Sequence, residues 1–373
     1  MMTSSPIHHP VFRAFSASHP CPVILDVAGL SLTETDKKRL LNPWVGGVIL
    51  FGRNWQDRAQ LQRLTSEIKT VRSDLIISVD HEGGRVQRFR TDGFTHLPPM
   101  SRLGILWKTQ PSQAQNTAIA CGYVLGSELR ACGVDLSFTP VLDLAYGRSQ
   151  VIGDRAFSRD VRVVSVLAQA LIHGLLQSGM WHCAKHFPGH GFAQADSHTT
   201  LPIDRRALKT LQLQDMVPYT SLANALTAVM PAHVIYPQVD TKPAGFSPRW
   251  LLDILREELG FTGCVISDDL SMVAATTWQN QPTSYTDAAI AALDAGCDQV
   301  LLCNQSVVDQ GRPIDQLLSG LSQAHTQKRW AWPPQRNAPR SLVPLGPAMP
   351  WDLLQTDPAY QQALKTIRSL PFI

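Results

Sequence analysis

LIISVDHEGGRVQR, residues 75–88, starts as a β-branched apolar run and breaks at Asp80 into charge, imidazole and paired glycines. An apolar strand that delivers its polar residues at its C-terminal end is the construction of a parallel β/α barrel, where the loops leaving the strands carry the chemistry. That reading requires the same grammar to recur along the chain, and it does. Apolar runs of strand length stand at Val23 to Val27, Gly47 to Phe51, Leu75 to Asp80, Asp135 to Leu142, Trp181 to His186, Ala228 to Val234, Cys264 to Asp268 and Gln299 to Cys303. Between them, Asp57 to Val71, Gln113 to Ala131, Val161 to Ser178, Pro248 to Leu259 and Tyr285 to Ala295 space their apolar residues by three and four, as amphipathic helices do. Eight near-continuously apolar strands alternating with helices predict an α/β fold, a parallel sheet closed into a single (β/α)8 TIM-type barrel, with an open doubly wound sheet as the fallback. No GxGxxG or GxxxxGK turn follows any strand, so the phosphate-cradling signature of a nucleotide fold is missing.

The barrel accounts for residues 1–325. Beyond them Arg329, Trp330, Trp332 and the prolines 333, 334, 339, 344, 347 and 350 interrupt regular structure. The segment 326–373 is expected to pack on the barrel rather than form a domain of its own, because it holds too few apolar residues for a separate core. It ends in a predicted helix from Pro358 to Leu370 with Tyr360, Leu364 and Ile367 on one face.

Composition narrows the function. The 373 residues are 44% hydrophobic and 17% charged, which excludes an intrinsically disordered chain. A net charge of +3 with no basic run lacks the footprint of a nucleic-acid binder. No run of 18 apolar residues and no export signal is visible, and seven scattered cysteines read as buried free thiols, so no membrane partner and a cytoplasmic location are expected.

Polar residues cluster where strands end. The third strand ends in Asp80-His81-Glu82-Gly83-Gly84-Arg85, with Arg88 beyond; the fourth runs to Asp143 and the loop Gly153-Asp154-Arg155. The fifth ends in Lys185-His186-Phe187-Pro188-Gly189-His190-Gly191, followed by Asp196-Ser197-His198; the sixth ends near His233 and the seventh in Ser267-Asp268-Asp269. Taken singly, each has an ordinary explanation: Asp80 or one of the paired aspartates can cap a turn, His190 can hold its loop, Phe187 is packing, and Asp196 with His198 is common loop chemistry. Two physical points go further. Lys185 and His186 are expensive to bury without polar partners, which implies a ligand or a carboxylate beside them. Strand alternation lets only one of Asp268 and Asp269 face the barrel mouth; if Val265 points outward, Ile266 and Asp268 point in.

Together, Val79 to Arg88, Lys185 to Gly191, Asp196-Ser197-His198 and Ser267-Asp268-Asp269-Leu270-Ser271-Met272 resemble glycoside hydrolase family 3, in its β-N-acetylglucosaminidase branch of peptidoglycan recycling, from about residue 22 to 305. The resemblance implies a retaining hydrolysis of terminal non-reducing N-acetyl-β-D-hexosamine, with muropeptides of the GlcNAc-anhydro-MurNAc type as substrate. Asp268 would be the nucleophile and His198 the acid/base, oriented by Asp196, an imidazole standing where such enzymes usually place a second carboxyl. By the same resemblance Asp80, Arg88, Arg155, Lys185 and His186 would bind the sugar. No cofactor and no metal are expected, and a monomer is. The small residues between Gly189 and Thr200 suggest a mobile loop that delivers His198. Competing readings are a metal-dependent hydrolase using some of His81, His182, His186, His190, His198 and His233, a phosphorylase on the same fold, and a sugar-binding protein without catalysis.

Overall fold

The eight apolar runs become eight strands: β1 (Val23–Asp26), β2 (Val45–Leu50), β3 (Ile76–Val79), β4 (Leu136–Ser137), β5 (Trp181–Phe187), β6 (Ala228–Pro231), β7 (Cys264–Asp269) and β8 (Gln299–Leu302). In the computed structural model, which describes residues 19–194, 201–277 and 282–370, they pair in parallel in sequence order and β1 closes on β8. The closed barrel, not the open sheet, is the fold.

Period-two alternation sorts the strand side chains into two layers. Ile24, Ile49, Ile76, Leu136, Cys183, Ala228, Met230, Cys264, Ile266 and Leu301 fill the barrel interior, while Leu25, Val48, Ile77, Val229, Val265 and Leu302 face the surrounding helices. Val265 outward and Ile266 inward is the phase expected from the sequence. The helices Arg58–Val71, Pro111–Ala131, Val161–Gln177 and Tyr285–Ala295 lie where their periodicity predicts. The helix Arg249–Glu258 is wider in turn than an α-helix, the Leu259 N–H reaching the Ile254 carbonyl five residues back.

Three segments depart from the reading. The fourth strand stops at Ser137 rather than Leu142, because Pro140 has no N–H for the ladder; the chain still follows β5 through bonds from Cys183 N to Thr139 O and from Lys185 N to Pro140 O. Two short helices, Leu208–Leu213 and Val217–Leu222, occupy the connection from β5 to β6. An unexpected helix, Arg312–Thr326, closes the outer ring, burying Ile314, Leu317, Leu318, Leu321 and Ala324 along one stripe.

The tail runs back along the barrel. Trp330 stacks on Trp332 with ring centroids 5.7 Å apart, and Trp44 lies 5.3 Å from Trp330. Leu342 enters the interior cluster, and the Trp181 indole N–H donates to the Val343 carbonyl at 2.7 Å. The last helix, Pro358–Arg368, buries Tyr360, Leu364 and Ile367. All seven cysteines are free and six of them buried. No helix among the described residues is long and apolar enough to cross a membrane.

Candidate active site

At the C-terminal ends of the strands a mouth of about 500 Å³ opens, and Asp80, Arg88, Arg155, Lys185, His186 and Asp268 all line it. Residues from β3 to β8 meet here because parallel strands bring every C-terminal end to one face.

The partners that Lys185 and His186 require are present. The Lys185 ammonium lies 2.7 Å from Asp80 Oδ1 and 2.8 Å from Glu82 Oε1. Burial alone would lower the Lys185 pKa, but the two carboxylates more than reverse it and raise it above the ordinary value. The His186 Nδ1 meets Asp143 Oδ2 at 2.6 Å, and the other Asp143 oxygen accepts the His190 backbone N–H at 2.6 Å. Burial works to raise the Asp143 carboxyl, yet His186 and His190 hold it below the usual carboxylate range. The contact also fixes the ring of His186, leaving Nε2 for another partner.

Glu82 is the residue that the sequence reading left without a role. Arg155 grips it in two parallel bonds, Nε to Oε2 at 2.9 Å and Nη2 to Oε1 at 2.8 Å, and Nη1 donates to the Val151 carbonyl at 3.1 Å. Burial alone would raise Glu82, but Arg155 and Lys185 drive it well below its ordinary value. Asp80 is more open and faces the Arg88 guanidinium at 3.6 Å. The signal for Glu82 was available: it lies two residues past Asp80 in extended chain, so both project toward the same side. Asp143 was visible as a strand-end acid, but its partners come from another strand.

Across the mouth stands Asp268, almost buried at 8% exposure, its Oδ1 accepting the Asp269 N–H at 2.8 Å. Burial pushes its carboxyl up, but His233, His186 and that N–H outweigh it and hold the group below the ordinary carboxylate value. Its neighbour is a turn-holder: Asp269 accepts from the Ser271 N–H and O–H and from the Cys303 N–H. Burial raises Asp269 to about 6. Of the pair, Asp268 is the stronger acid and Asp269 the one that holds the turn, although both reach the mouth.

His190 lines the mouth with both ring nitrogens buried and without a hydrogen-bond partner, 5.8 Å from the His186 ring. His233 stacks on Phe246 at 5.2 Å and faces the backbone of Asp268 and Asp269. Phe187 is packing, edge-on to Tyr219 at 5.1 Å and Trp250 at 5.9 Å.

Asp196 and His198 lie outside the described residues. The stretch before them is tightly held, which argues against mobility over Gly189 to Ala193. Gly191 is indispensable there, since a Cβ would stand 2.0 Å from the Leu144 carbonyl oxygen. The Phe192 ring meets Tyr146 edge-on at 5.3 Å and lies under the Arg206 and Arg148 guanidinium groups at 4.1 and 4.3 Å.

Of the histidines suggested as metal ligands, His81 and His182 stand outside the mouth. His81 is packed between Phe89 and Phe94 and pushed down to about 3 by burial, and His182 takes the Thr227 N–H at 3.1 Å. Among the described residues no group of three His, Cys, Asp or Glu side chains is arranged to hold a metal.

Residues 23–329 match the model of the glycosyl hydrolase family 3 N-terminal domain. A β-hexosaminidase of Bordetella parapertussis is 53% identical over 92% of this chain and 94% of its own length. One of Aromatoleum aromaticum is 50% identical over 94% of each. Among solved structures, native NagZ from Neisseria gonorrhoeae superposes with a TM-score of 0.82 at 43% identity, covering 95% of this chain and 98% of that one.

Proposed function

Because the chain belongs to glycosyl hydrolase family 3 and is a β-N-acetylhexosaminidase by its relatives, we propose that it removes terminal N-acetyl-β-D-glucosamine with retention, through a covalent intermediate on Asp268. The observation that carries this reading is the contrast across the mouth: a carboxylate held ionised at the end of β7 faces a network of paired charges suited to gripping a sugar. An ionised, desolvated carboxylate is what attack on an anomeric carbon needs. Asp80, Arg88, Lys185 and His186 supply charge-assisted donors and acceptors to ring hydroxyls and the acetamido carbonyl. Three N–H groups of Arg155 are already committed to Glu82 and Val151, so its part is to hold Glu82, and through it Lys185, as well as to line the pocket.

Asp196 and His198 complete the reaction as acid/base pair. Imidazole protonates the leaving oxygen in the first step and deprotonates water in the second, which a group with a pKa near 6.5 does well at neutral pH. A mouth of about 500 Å³, floored by Met230 and Leu301, suits removal of a single terminal sugar. The natural substrate in this reading is a muropeptide with terminal N-acetylglucosamine, met in the cytoplasm by a monomer.

The test is a pair of aryl glycosides. The protein should hydrolyse an aryl N-acetyl-β-glucosaminide and release the β-anomer first, with little action on the matching β-glucoside. A slow fluorinated sugar should label Asp268. Initial release of the α-anomer would end the retaining mechanism, and labelling of Asp269 would end the assignment of the nucleophile.

A further inference from the structure

The C-terminal helix reaches toward the sugar site through one buried carboxylate. Glu128, on the helix Pro111–Ala131, is 1% exposed. It accepts three hydrogen bonds: the Thr95 N–H at 3.0 Å, the Thr95 O–H at 2.6 Å and the Tyr360 O–H at 2.7 Å. Thr95 belongs to the loop that follows β3, and Tyr360 to the last helix, so Glu128 ties the two together, itself 33 positions from the one and 232 from the other.

From Thr95 the bonding continues to Arg88. The Gln87 side chain donates to the Thr95 carbonyl at 2.8 Å and accepts the Leu97 N–H at 3.0 Å, and Leu97 in turn accepts the Gly84 N–H at 2.9 Å. Gln87 directly precedes Arg88. Phe89 directly follows it and packs on Phe94 at 5.5 Å, which rests against Trp351 of the C-terminal segment at 5.2 Å. Both neighbours of Arg88 are thus held by contacts that end on the tail.

We infer that Glu128 and Tyr360 are positioning residues for Arg88, so that the C-terminal segment, remote from the reacting bond, sets how the sugar is gripped. The Arg88 side chain is about one-third exposed at the rim of the mouth, and a guanidinium there binds well only if its backbone is fixed beforehand. Three hydrogen bonds converging on one buried carboxyl group hold that backbone in a single arrangement. The inference rests on the hydrolase reading, since it needs a sugar for Arg88 to bind.

Tyr360→Phe removes one O–H and keeps the ring. On an aryl N-acetyl-β-glucosaminide its KM should rise about fivefold while kcat changes by less than about twofold, the split expected when ground-state binding is lost. Thr95→Val, which removes the O–H from the loop end of the same link, should show the same split if Tyr360→Phe does not fold. In an Arg88→Ala background Tyr360→Phe should raise KM no further, because the two act as one unit. A Tyr360→Phe penalty that adds in full to that of Arg88→Ala, or a fall in kcat that tracks only the loss of folded protein, would overturn the inference. A wild type inactive on the glycoside would instead strike the hydrolase reading itself.

Discussion

The two sides of the mouth are built on opposite terms. On the side of β3 and β5, Asp80, Glu82, Arg155, Lys185, Asp143 and His186 are all partnered, in pairs shorter than 3 Å. Around Asp268 stand buried imidazoles, and among the described residues neither His233 nor His190 has a side-chain hydrogen-bond partner at its ring nitrogens. A paired network is rigid and ready to receive a ligand without reorganising. An unpaired polar group is costly in a closed protein and is kept where a ligand, a water or a proton is to be exchanged. The division separates holding the sugar from breaking its bond.

Each variant that removes one side should therefore fail in its own way. The largest effect is expected from Asp268→Asn, a loss in kcat on the order of 10⁴-fold with no fall in Tm, since chemistry goes and packing stays; thermal unfolding beside single-turnover kinetics would show it. Glu82→Gln should do the reverse in kind. It takes from Arg155 its ion-pair partner and from Lys185 one of two, so a loss of about 3 kcal/mol in stability is expected, together with a higher KM, read by urea unfolding. If Glu82→Gln unfolded no more easily than Asp268→Asn, the contrast between the two sides would collapse.

His190→Phe sharpens the comparison. Replacing two unsatisfied nitrogens by a ring of similar size should leave Tm unchanged or raise it slightly, by the equivalent of about 1 kcal/mol, while kcat/KM falls. A marked loss of Tm would mean that His190 holds its loop, the plainer role its surroundings allow.

The smallest effect is one of pH. Glu128 is raised by burial from 4.5 to about 7 in the folded chain, so the folded state holds that proton more tightly than the unfolded state does. The stabilisation is complete below about pH 4.5 and disappears as pH rises through about 7. Glu128→Gln should flatten that part of the stability curve, and scanning calorimetry of both proteins from pH 4.5 to 8 would detect it.

What the chain discloses by itself follows from the range of the interactions involved. The phase of β7, Val265 outward and Ile266 inward, was legible because alternation is local, but alternation did not separate the two aspartates, since both Asp268 and Asp269 reach the mouth. That Lys185 and His186 need a ligand or a carboxylate beside them was legible as well. Which carboxylates was not, because Asp80 lies 105 positions from Lys185 and Asp143 lies 43 from His186, and only closure of the barrel makes them adjacent. Glu128 was invisible for the same reason, its hydroxyl partner arriving from the last helix. The helix Arg312–Thr326 was not singled out, although its local signal was present, a glycine before it and a proline in its first turn.

Leu342 bears on the order in which this protein is made. The interior of the barrel is stoppered at its base by a side chain that follows all eight strands and all their helices in sequence. During synthesis, every strand can leave the ribosome and pair while the apolar shaft beneath Ile76, Leu136 and Cys264 still waits for its stopper. Until Leu342 arrives, a nascent barrel of this kind presents an oily hole at one end, a surface that a chaperone would cover.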